Sequence, residues 1–237
     1  MFFVAYARRL LRRDPNFSFV LYCEPVYHAQ VLSMLKPFGE QASVAPTCER
    51  TADAISIWIG DGDFFQHHPE QHNYPVMYQD WFRRLSDKLG VESPIKSAYD
   101  LFMEVDAIDD SHGHFDCLVI NSSAQSSQWV DTTSLFDDLI RRLKGRGLRV
   151  AKTHPSSAEA DFCTMDAGMN IQQLIDFSPC CKRVVGVNNA PMVATINTES
   201  FARTEAWHVC DHWTFYTYPR FFHLRSATEL ASYIALC

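Results

Sequence analysis

The chain has 237 residues, of which 47% are hydrophobic, 21% charged and 13% aromatic. This composition is typical of an ordered globular protein and excludes a low-complexity or intrinsically disordered chain. The length allows one large domain or two small ones, and the net charge of −7 disfavours nucleic acid as the main partner, because phosphate binding requires a positive field.

The first half of the chain alternates between helical and extended patterns. Phe3, Tyr6 and Leu10 recur at helical spacing in FFVAYARRLLRR and predict a first helix, which Arg-Asp-Pro-Asn ends. Further along, we predict strands over 17–23, 43–46 and 54–63, and helices over 26–35 and 76–90. Strands that alternate with helices in this way favour a parallel sheet with helices on both faces.

An acidic segment, EVDAIDDSHGHF, interrupts this pattern, and we place a domain boundary in it, between domains 1–110 and 111–237. Beyond it the alternation restarts. We predict strands over 115–121, 148–153, 182–188 and 212–218, and helices over 133–144, 169–178, from within 193–201, and over 226–236. Ser226 and Glu229 predict a capping box for the last helix. The predicted fold class is α/β, with two Rossmann-like domains built on parallel sheets.

Cysteine usage and hydropathy bear on the location of the protein. The eight cysteines include no Cys-x-x-Cys pair. The opening MFFVAYA is a short apolar run followed by its arginines, which is unlike a secretory signal. The longest apolar stretches fall short of the ~20 residues that span a bilayer. We therefore expect a reducing, cytoplasmic setting and no transmembrane segment.

Polar loops follow four of the predicted strands: GDGD after Ile59, NSSAQSSQW after Ile120, THPSSAEADFCTMD after Ala151 and NNAPM after Val187. Ligands of open parallel sheets bind outside the carboxyl ends of the strands. The last three loops belong to one predicted domain, so we expect them to line a single edge of its sheet.

Two of these loops contain side chains that could contact a phosphate. In the loop after 115–121, hydroxyls and backbone N–H groups precede a helix, where a phosphate can be received, although Ser-rich turns are also ordinary N-caps. In the loop at the end of strand 182–188, two asparagines and a proline favour a structural turn over a ligand site. The residues are Asn121, Ser122 and Ser123 in the first loop, and Asn188, Asn189, Ala190 and Pro191 in the second.

Acidic residues near the strand ends are candidates for general acid or base chemistry. Asp61 and Asp63 follow the third strand, and Asp161 and Asp166 lie in the second half. Acids beside a glycine also serve as loop caps. The histidines form small clusters, but their spacing places no complete set of ligands, so we predict no metal site.

The segments VINSSAQSSQW, LIRRLKGRGLRVAKT and MNIQQLIDFSPCCKRVVGVNNAPM, within 119–192, resemble a known domain in order and spacing. It is the nucleotide-sugar-binding domain of GT-B glycosyltransferases of the heptosyltransferase type, glycosyltransferase family 9 and its relatives. The opening MFFVAYARRLLRRDPNFSFVLYC resembles the first helix and second strand of the family's other domain. In the family a strand and a Gly-Asp loop with the catalytic aspartate precede that helix, so we expect a first domain truncated at its N-terminus.

The resemblance implies a donor site and a reaction. It places the diphosphate of a nucleoside-diphosphate sugar against the loops at 121–123 and 188–191, and the nucleoside near Thr164 and Asp166. A saccharide or protein acceptor would approach from the first domain, without a cofactor or metal, since this family type relies on protein donors. The available bases on that side are Asp61 and Asp63. The oligomeric state stays open.

The sequence departs from the family pattern at this site. Asn188 replaces Asp, Asn189 replaces Thr, Ala190 replaces Gly, Val193 replaces His, and Gln128 stands where a phosphate-contacting lysine is common. The loss of lysine and histidine removes groups that would stabilise a leaving diphosphate. The alternative to a glycosyltransferase is therefore a catalytically inactive relative that binds a nucleotide sugar or a protein partner.

Overall fold

A computed structural model describes residues 2–55, 74–122, 133–209 and 220–237, and all structural statements concern these residues. The chain divides into two compact units, Met1–Met103 and Glu104–Cys237. In this division the acidic segment 104–110 belongs to the second unit, whereas the predicted domains keep it in the first. None of the helices in the described ranges combines the length and the hydropathy that crossing a bilayer requires.

The first unit contains helices α1 (Phe2–Arg13), α2 (His28–Leu35) and α3 (Tyr74–Leu89) and strands β1 (Phe19–Cys23) and β2 (Ala42–Pro46). The two strands are parallel, with Phe19 opposite Ala42, and α2 connects them. All five elements were predicted, with bounds that differ by a few residues. The predicted third strand, 54–63, lies outside the described residues beyond Ile55.

Helix α1 buries the face that its apolar spacing predicts. The Tyr6 ring stacks on Phe82 of α3, with ring centroids 4.7 Å apart and an interplanar angle of 10°. The Tyr6 hydroxyl lies 2.9 Å from Ser86 Oγ. Arg8, in the same helix, is also buried, and its Nη1 donates to the Met34 carbonyl at 2.6 Å. Both polar groups therefore have a partner inside the unit.

The described residues of the second unit form six parallel strands: β3 (Cys117–Ile120), β4 (Val150–Lys152), β5 (Phe162–Cys163), β6 (Arg183–Val187), β7 (Glu205–Val209) and β8 (Phe221–Leu224). Their order in the sheet is β5-β4-β3-β6-β7-β8. The helices are α4 (Thr133–Gly145), α5 (Ile171–Phe177), α6 (Ala190–Thr195), α7 (Ser200–Arg203) and α8 (Ala227–Leu236). The predicted α/β class with parallel sheets is confirmed.

The central strands of this sheet are buried on both faces. Val119 and Val185 pack in one hydrophobic cluster with Phe136 and Leu139 of α4. Leu118 points to the opposite face, because side chains alternate along a strand, and it is fully buried as well. Burial on both faces explains why these strands are continuous apolar runs in the sequence.

The segment between β6 and β7 differs from the prediction. A helix begins within 193–201 as predicted, at Ser200, but an additional helix begins earlier, at Ala190, because Asn189 Oδ1 accepts a backbone N–H of its first turn at 2.9 Å. The helix then ends, and a second short helix follows. Between the two, the buried side chain of Asn197 accepts the Ser200 N–H at 2.9 Å. This local hydrogen bond competes with a continuous helix.

Strands β5, β7 and β8 were not predicted. β5 has only two residues, and β7 reads EAWHV, in which a glutamate and a histidine interrupt the apolar pattern. The strand predicted over 212–218 lies outside the described residues.

The predicted N-cap of the last helix is confirmed, with one difference. Ser226 Oγ accepts the Glu229 N–H at 3.1 Å. The Glu229 carboxylate, however, accepts the N–H of Arg225 instead of that of Ser226, so the reciprocal bond of a capping box is displaced by one residue.

Candidate functional site

The order of the strands defines a crevice in the second unit. The chain leaves β3 to build β4 and β5 on one side, and then returns to build β6, β7 and β8 on the other. In open parallel sheets such a reversal leaves a ligand-binding crevice outside the carboxyl ends of the two strands where it occurs. These strands are β3 and β6, which end at Ile120 and Val187. The predicted site loops 121–123 and 188–191 begin at this crevice.

Ser122 and Asn189, one from each loop, contact each other across the crevice. Asn189 Nδ2 donates to the Ser122 carbonyl oxygen at 3.1 Å and to Ser122 Oγ at 2.9 Å. The other end of the same amide, Oδ1, accepts the Met192 N–H as the N-cap of α6. A single side chain therefore holds the β3 loop against the first turn of α6.

The amide of Asn121 joins the ends of β3 and β4. Its Oδ1 accepts the backbone N–H groups of Thr153 and His154 at 3.2 and 2.8 Å. Its Nδ2 donates to the His154 carbonyl at 2.9 Å, and its own backbone N–H donates to Thr153 Oγ1 at 3.1 Å. Asn121 and Thr153 are buried. Asn121 thus fixes the two strand ends relative to each other.

Thr164 and Asp166 follow β5, which pairs with β4. Thr164 is buried, its N–H donates to the Lys152 carbonyl at 3.0 Å, and its Oγ1 lies 3.4 Å from the Thr153 carbonyl. Asp166 is exposed in the following turn. The structure therefore places Thr164 against the end of β4 and Asp166 on the surface beside it.

In the second loop, Asn188 and Pro191 contribute through their backbone conformation and hydrogen bonding. The Asn188 N–H donates to the Val209 carbonyl at 3.1 Å, which extends the pairing of β6 with β7 beyond the strand. Pro191 occupies the first turn of α6, where its missing N–H has no intrahelical partner to lose. Ala190 is exposed.

Four predicted site residues lie outside the described residues and stay predictions: Asp61, Asp63, Ser123 and Gln128. Asp161, another candidate acid, lies at the opposite end of the sheet. Its Oδ2 accepts the N–H of Val150, the first residue of β4, at 2.7 Å, and its carboxylate pairs with Lys144. Asp161 therefore supports the beginning of β4 and is not part of the strand-end site.

Thr153 and His154 belong to this edge, although the sequence did not single them out. The sequence predicts that their loop lies at this edge of the sheet. Their contacts, however, are with Asn121, which precedes Thr153 by 32 residues and His154 by 33, and no local motif predicts contacts over such a distance. Burial lowers the pKa of the His154 imidazole below its usual value, so the ring is neutral at pH 7. The buried Lys152 Nζ donates to the Ala158 carbonyl at 2.7 Å and folds the same loop back.

Comparisons with known proteins give matches in structure only. No protein-family model and no curated protein sequence matches the chain. The iron-containing dodecameric glycosyltransferase TibC from enterotoxigenic E. coli is similar with a TM-score of 0.51 and 14% identity over 93% of this chain. The match covers 58% of the TibC chain, so the present chain spans less than two thirds of that protein.

Two further solved structures are similar at lower scores. TibC, described as a heptosyltransferase in complex with ADP-D-β-D-heptose, has a TM-score of 0.49 and 15% identity over 91% of this chain and 56% of its own. The E. coli heptosyltransferase WaaC with ADP-2-deoxy-2-fluoro heptose has a TM-score of 0.48 and 10% identity over 96% of this chain and 90% of its own. At such identities the likeness concerns the fold alone. The chain therefore shares its fold with the glycosyltransferase TibC.

Proposed function

We propose that the protein is a glycosyltransferase that transfers a sugar from a nucleoside-diphosphate sugar to an acceptor hydroxyl, with the donor bound by the second unit. The observation that carries the proposal is the contact between Ser122 and Asn189 at the reversal of strand order. It brings together the two loops that the resemblance assigns to the diphosphate. The fold shared with TibC supports the same reaction class.

The hydrogen bonding of Ser122 suits a phosphate. Its Oγ accepts from Asn189 Nδ2, and within the described residues the hydroxyl hydrogen is donated to no other group. A serine hydroxyl has one hydrogen to donate. Ser122 can therefore donate that hydrogen to a phosphate oxygen while Asn189 holds its own oxygen in place. Hydrogen bonds to an ionised acceptor are stronger than those between neutral groups.

The proposed reaction is a displacement at the anomeric carbon. A base removes the proton of the acceptor hydroxyl, the oxygen attacks the anomeric carbon, and the nucleoside diphosphate leaves. Asp61 or Asp63 is the proposed base. Groups that donate hydrogen bonds to the leaving diphosphate would supply the main stabilisation of the transition state.

We propose this reaction without a metal. The structurally similar TibC is an iron-containing protein. In the described part of this chain, no three His, Cys, Asp or Glu side chains come together as ligands would. The proposal follows the resemblance, whose family type relies on protein donors to stabilise the leaving diphosphate.

The second candidate function is a protein that binds a nucleotide sugar without turning it over. Ala190 and Val193 stand where the family has Gly and His, and neither side chain can donate a hydrogen bond to a leaving group. Binding requires only that the donor fits the crevice, whereas turnover also requires stabilisation of the charge that develops on the diphosphate.

Calorimetric titration followed by an assay for nucleoside diphosphate release separates these functions. The titrants are ADP-, GDP- and UDP-sugars, and the release assay adds mixtures of saccharide and protein acceptors. Binding with release supports the enzyme, and binding without release in any mixture selects the non-catalytic protein. No binding of any nucleotide sugar refutes both.

Two variants test the location of the site. Ser122→Asp places a negative charge against the proposed diphosphate and is expected to abolish binding. Ser232→Asp makes the same change on the exposed surface of α8 and is expected to leave binding unchanged. Equal affinities of the two variants would remove Ser122 from the site.

A further inference from the structure

A cavity of about 760 Å³ lies in the first unit, beside strand β1. Among the side chains that line it are Phe3 and Leu10 of α1, Leu85 of α3, and Phe19 and Leu21 of β1. These side chains contain no polar atom, so this part of the cavity suits an apolar group. The volume is typical of a site for a small molecule.

The cavity also reaches the carboxyl ends of β1 and β2, where its lining is polar. Glu24 directly follows β1, Thr47 directly follows β2, and Arg50 comes shortly after Thr47. The two strands are parallel, so their carboxyl ends lie at the same edge, where ligands of open parallel sheets bind. An apolar cavity with a few polar side chains at such an edge is the usual construction of a small-molecule site.

Glu24 presents an oxygen that can bind a ligand at this edge. Its Oε1 accepts a hydrogen bond from Thr47 Oγ1 at 2.8 Å. Although Glu24 precedes a short 3₁₀ helix, Pro25–Tyr27, its side chain makes no capping bond. An ionised carboxylate accepts hydrogen bonds on both oxygens and donates none. Thr47 therefore fixes the carboxylate, and Oε2 is left to accept a hydrogen bond from a hydroxyl group.

We propose that this cavity binds an amphipathic acceptor, whose apolar group lies between α1, β1 and α3 and whose hydroxyl group donates to Glu24. The inference rests on the proposed function, because it assigns the acceptor of that transfer to this cavity. It narrows the acceptor to a hydroxyl compound with an alkyl or aromatic body. Glu24 binds the acceptor in this proposal, and the proposed base stays Asp61 or Asp63.

Two alkyl glucosides test the apolar part of the cavity. Methyl β-D-glucoside and octyl β-D-glucoside present the same hydroxyl groups and differ only in the length of the alkyl chain. Each methylene group that the cavity buries strengthens binding about fourfold. In calorimetric titration below the concentration at which micelles form, we therefore expect octyl glucoside to bind at least about tenfold more tightly. Equal affinities of the two glucosides would overturn the inference.

Substitution of Val20 checks that the alkyl chain occupies the cavity. Val20 lines the cavity and is 47% exposed, so the charge of Val20→Glu can be hydrated in the free protein. Burial of that charge against an alkyl chain is costly, and we expect octyl glucoside to bind at least about tenfold more weakly. Val26→Glu is the matched control, because Val26 is 75% exposed and lies outside the cavity lining. Thermal unfolding checks that both variants fold. Equal affinities of the two variants would contradict the assigned position.

Glu24→Gln tests the polar end of the cavity. The substitution removes the charge and keeps the size of the side chain, and hydrogen bonds to an ionised acceptor are the stronger ones. We expect it to weaken the binding of both glucosides by the same factor, about threefold to tenfold. Glu49→Gln removes the same charge from an exposed residue outside the cavity lining and is expected to change neither affinity. Wild-type affinities in Glu24→Gln would remove Glu24 from the site.

The assay for nucleoside diphosphate release connects the cavity to the proposed reaction. We expect octyl glucoside to accelerate release from the preferred nucleotide sugar more than methyl glucoside does, and Val20→Glu to abolish the difference. Absence of glucoside binding, together with normal binding of a nucleotide sugar, would refute this inference and leave the proposed function intact. Glucoside binding without binding of any nucleotide sugar would refute the proposed function, and with it the role of the glucoside as an acceptor.

Discussion

Replacement of Asn189 by alanine tests whether one side chain both caps a helix and joins the two site loops. The variant loses the cap of α6, which costs about 1 kcal/mol of unfolding free energy. It also loses two hydrogen bonds to Ser122, at 3.1 and 2.9 Å. Each is partly buried and contributes about 0.5 kcal/mol. We therefore expect Asn189→Ala to destabilise the protein by about 2 kcal/mol.

Ser226→Ala is the matched control, because Ser226 caps α8 with a single bond to the Glu229 N–H. It is expected to cost about 1 kcal/mol. Urea unfolding of both variants measures the difference. Nucleotide titration completes the comparison, and we expect Asn189→Ala to bind at least about tenfold more weakly than wild type, because Ser122 is no longer held. Ser226→Ala is expected to bind normally.

A third variant separates the cap from the connection between the loops. Asn189→Asp keeps an oxygen that accepts the Met192 N–H, but it has no hydrogen to donate to Ser122. We expect it to retain more stability than Asn189→Ala and yet to bind nucleotide poorly. Equal loss of stability in Asn189→Ala and Ser226→Ala, together with wild-type affinity in both, would refute the reasoning.

Two further predictions concern stability alone. Gly186 lies opposite Ile120, and a Cβ on it would be 2.4 Å from Ile120 Cβ. We therefore expect Gly186→Ala to lower the free energy of unfolding in urea by about 1–3 kcal/mol. Wild-type stability of the variant would contradict this. Burial, and secondarily His223, lower the pKa of His208 to about 3. Its neutral form therefore contributes stability that is complete above the unfolded pKa of about 6.5 and is lost as pH falls toward 3, by up to about 5 kcal/mol. His208→Gln is expected to flatten the dependence of unfolding free energy on pH between 6.5 and 4, and an unchanged slope would contradict the assignment.

Long periodic segments could be predicted because their signal is local. Helices α1 and α4 follow from the spacing of their apolar residues, and β3 and β6 from short apolar runs that contain β-branched residues. Strand β7 could not be predicted, because the burial of His208 as a neutral residue is decided by neighbouring strands. Strand β5 is too short to carry a pattern.

The grouping of the strand-end loops was easier to predict than their contacts. The rule for parallel sheets correctly groups the loops that follow β3, β4 and β6 at one edge. The pairing of Ser122 with Asn189 joins residues 67 positions apart, and the bonds from Asn121 to the β4 loop span 32 and 33 positions. Such contacts are fixed by the assembled sheet and have no local signature. For the same reason the sequence does not predict that His154 lies against Asn121.

Calorimetric titration of the wild-type protein with nucleoside-diphosphate sugars tests the central claim most directly. The account predicts saturable binding of at least one of the ADP-, GDP- or UDP-sugars, at one site per chain, which Ser122→Asp abolishes and Ser232→Asp leaves intact. Absence of binding by all three classes, or binding that Ser122→Asp does not change, would contradict it.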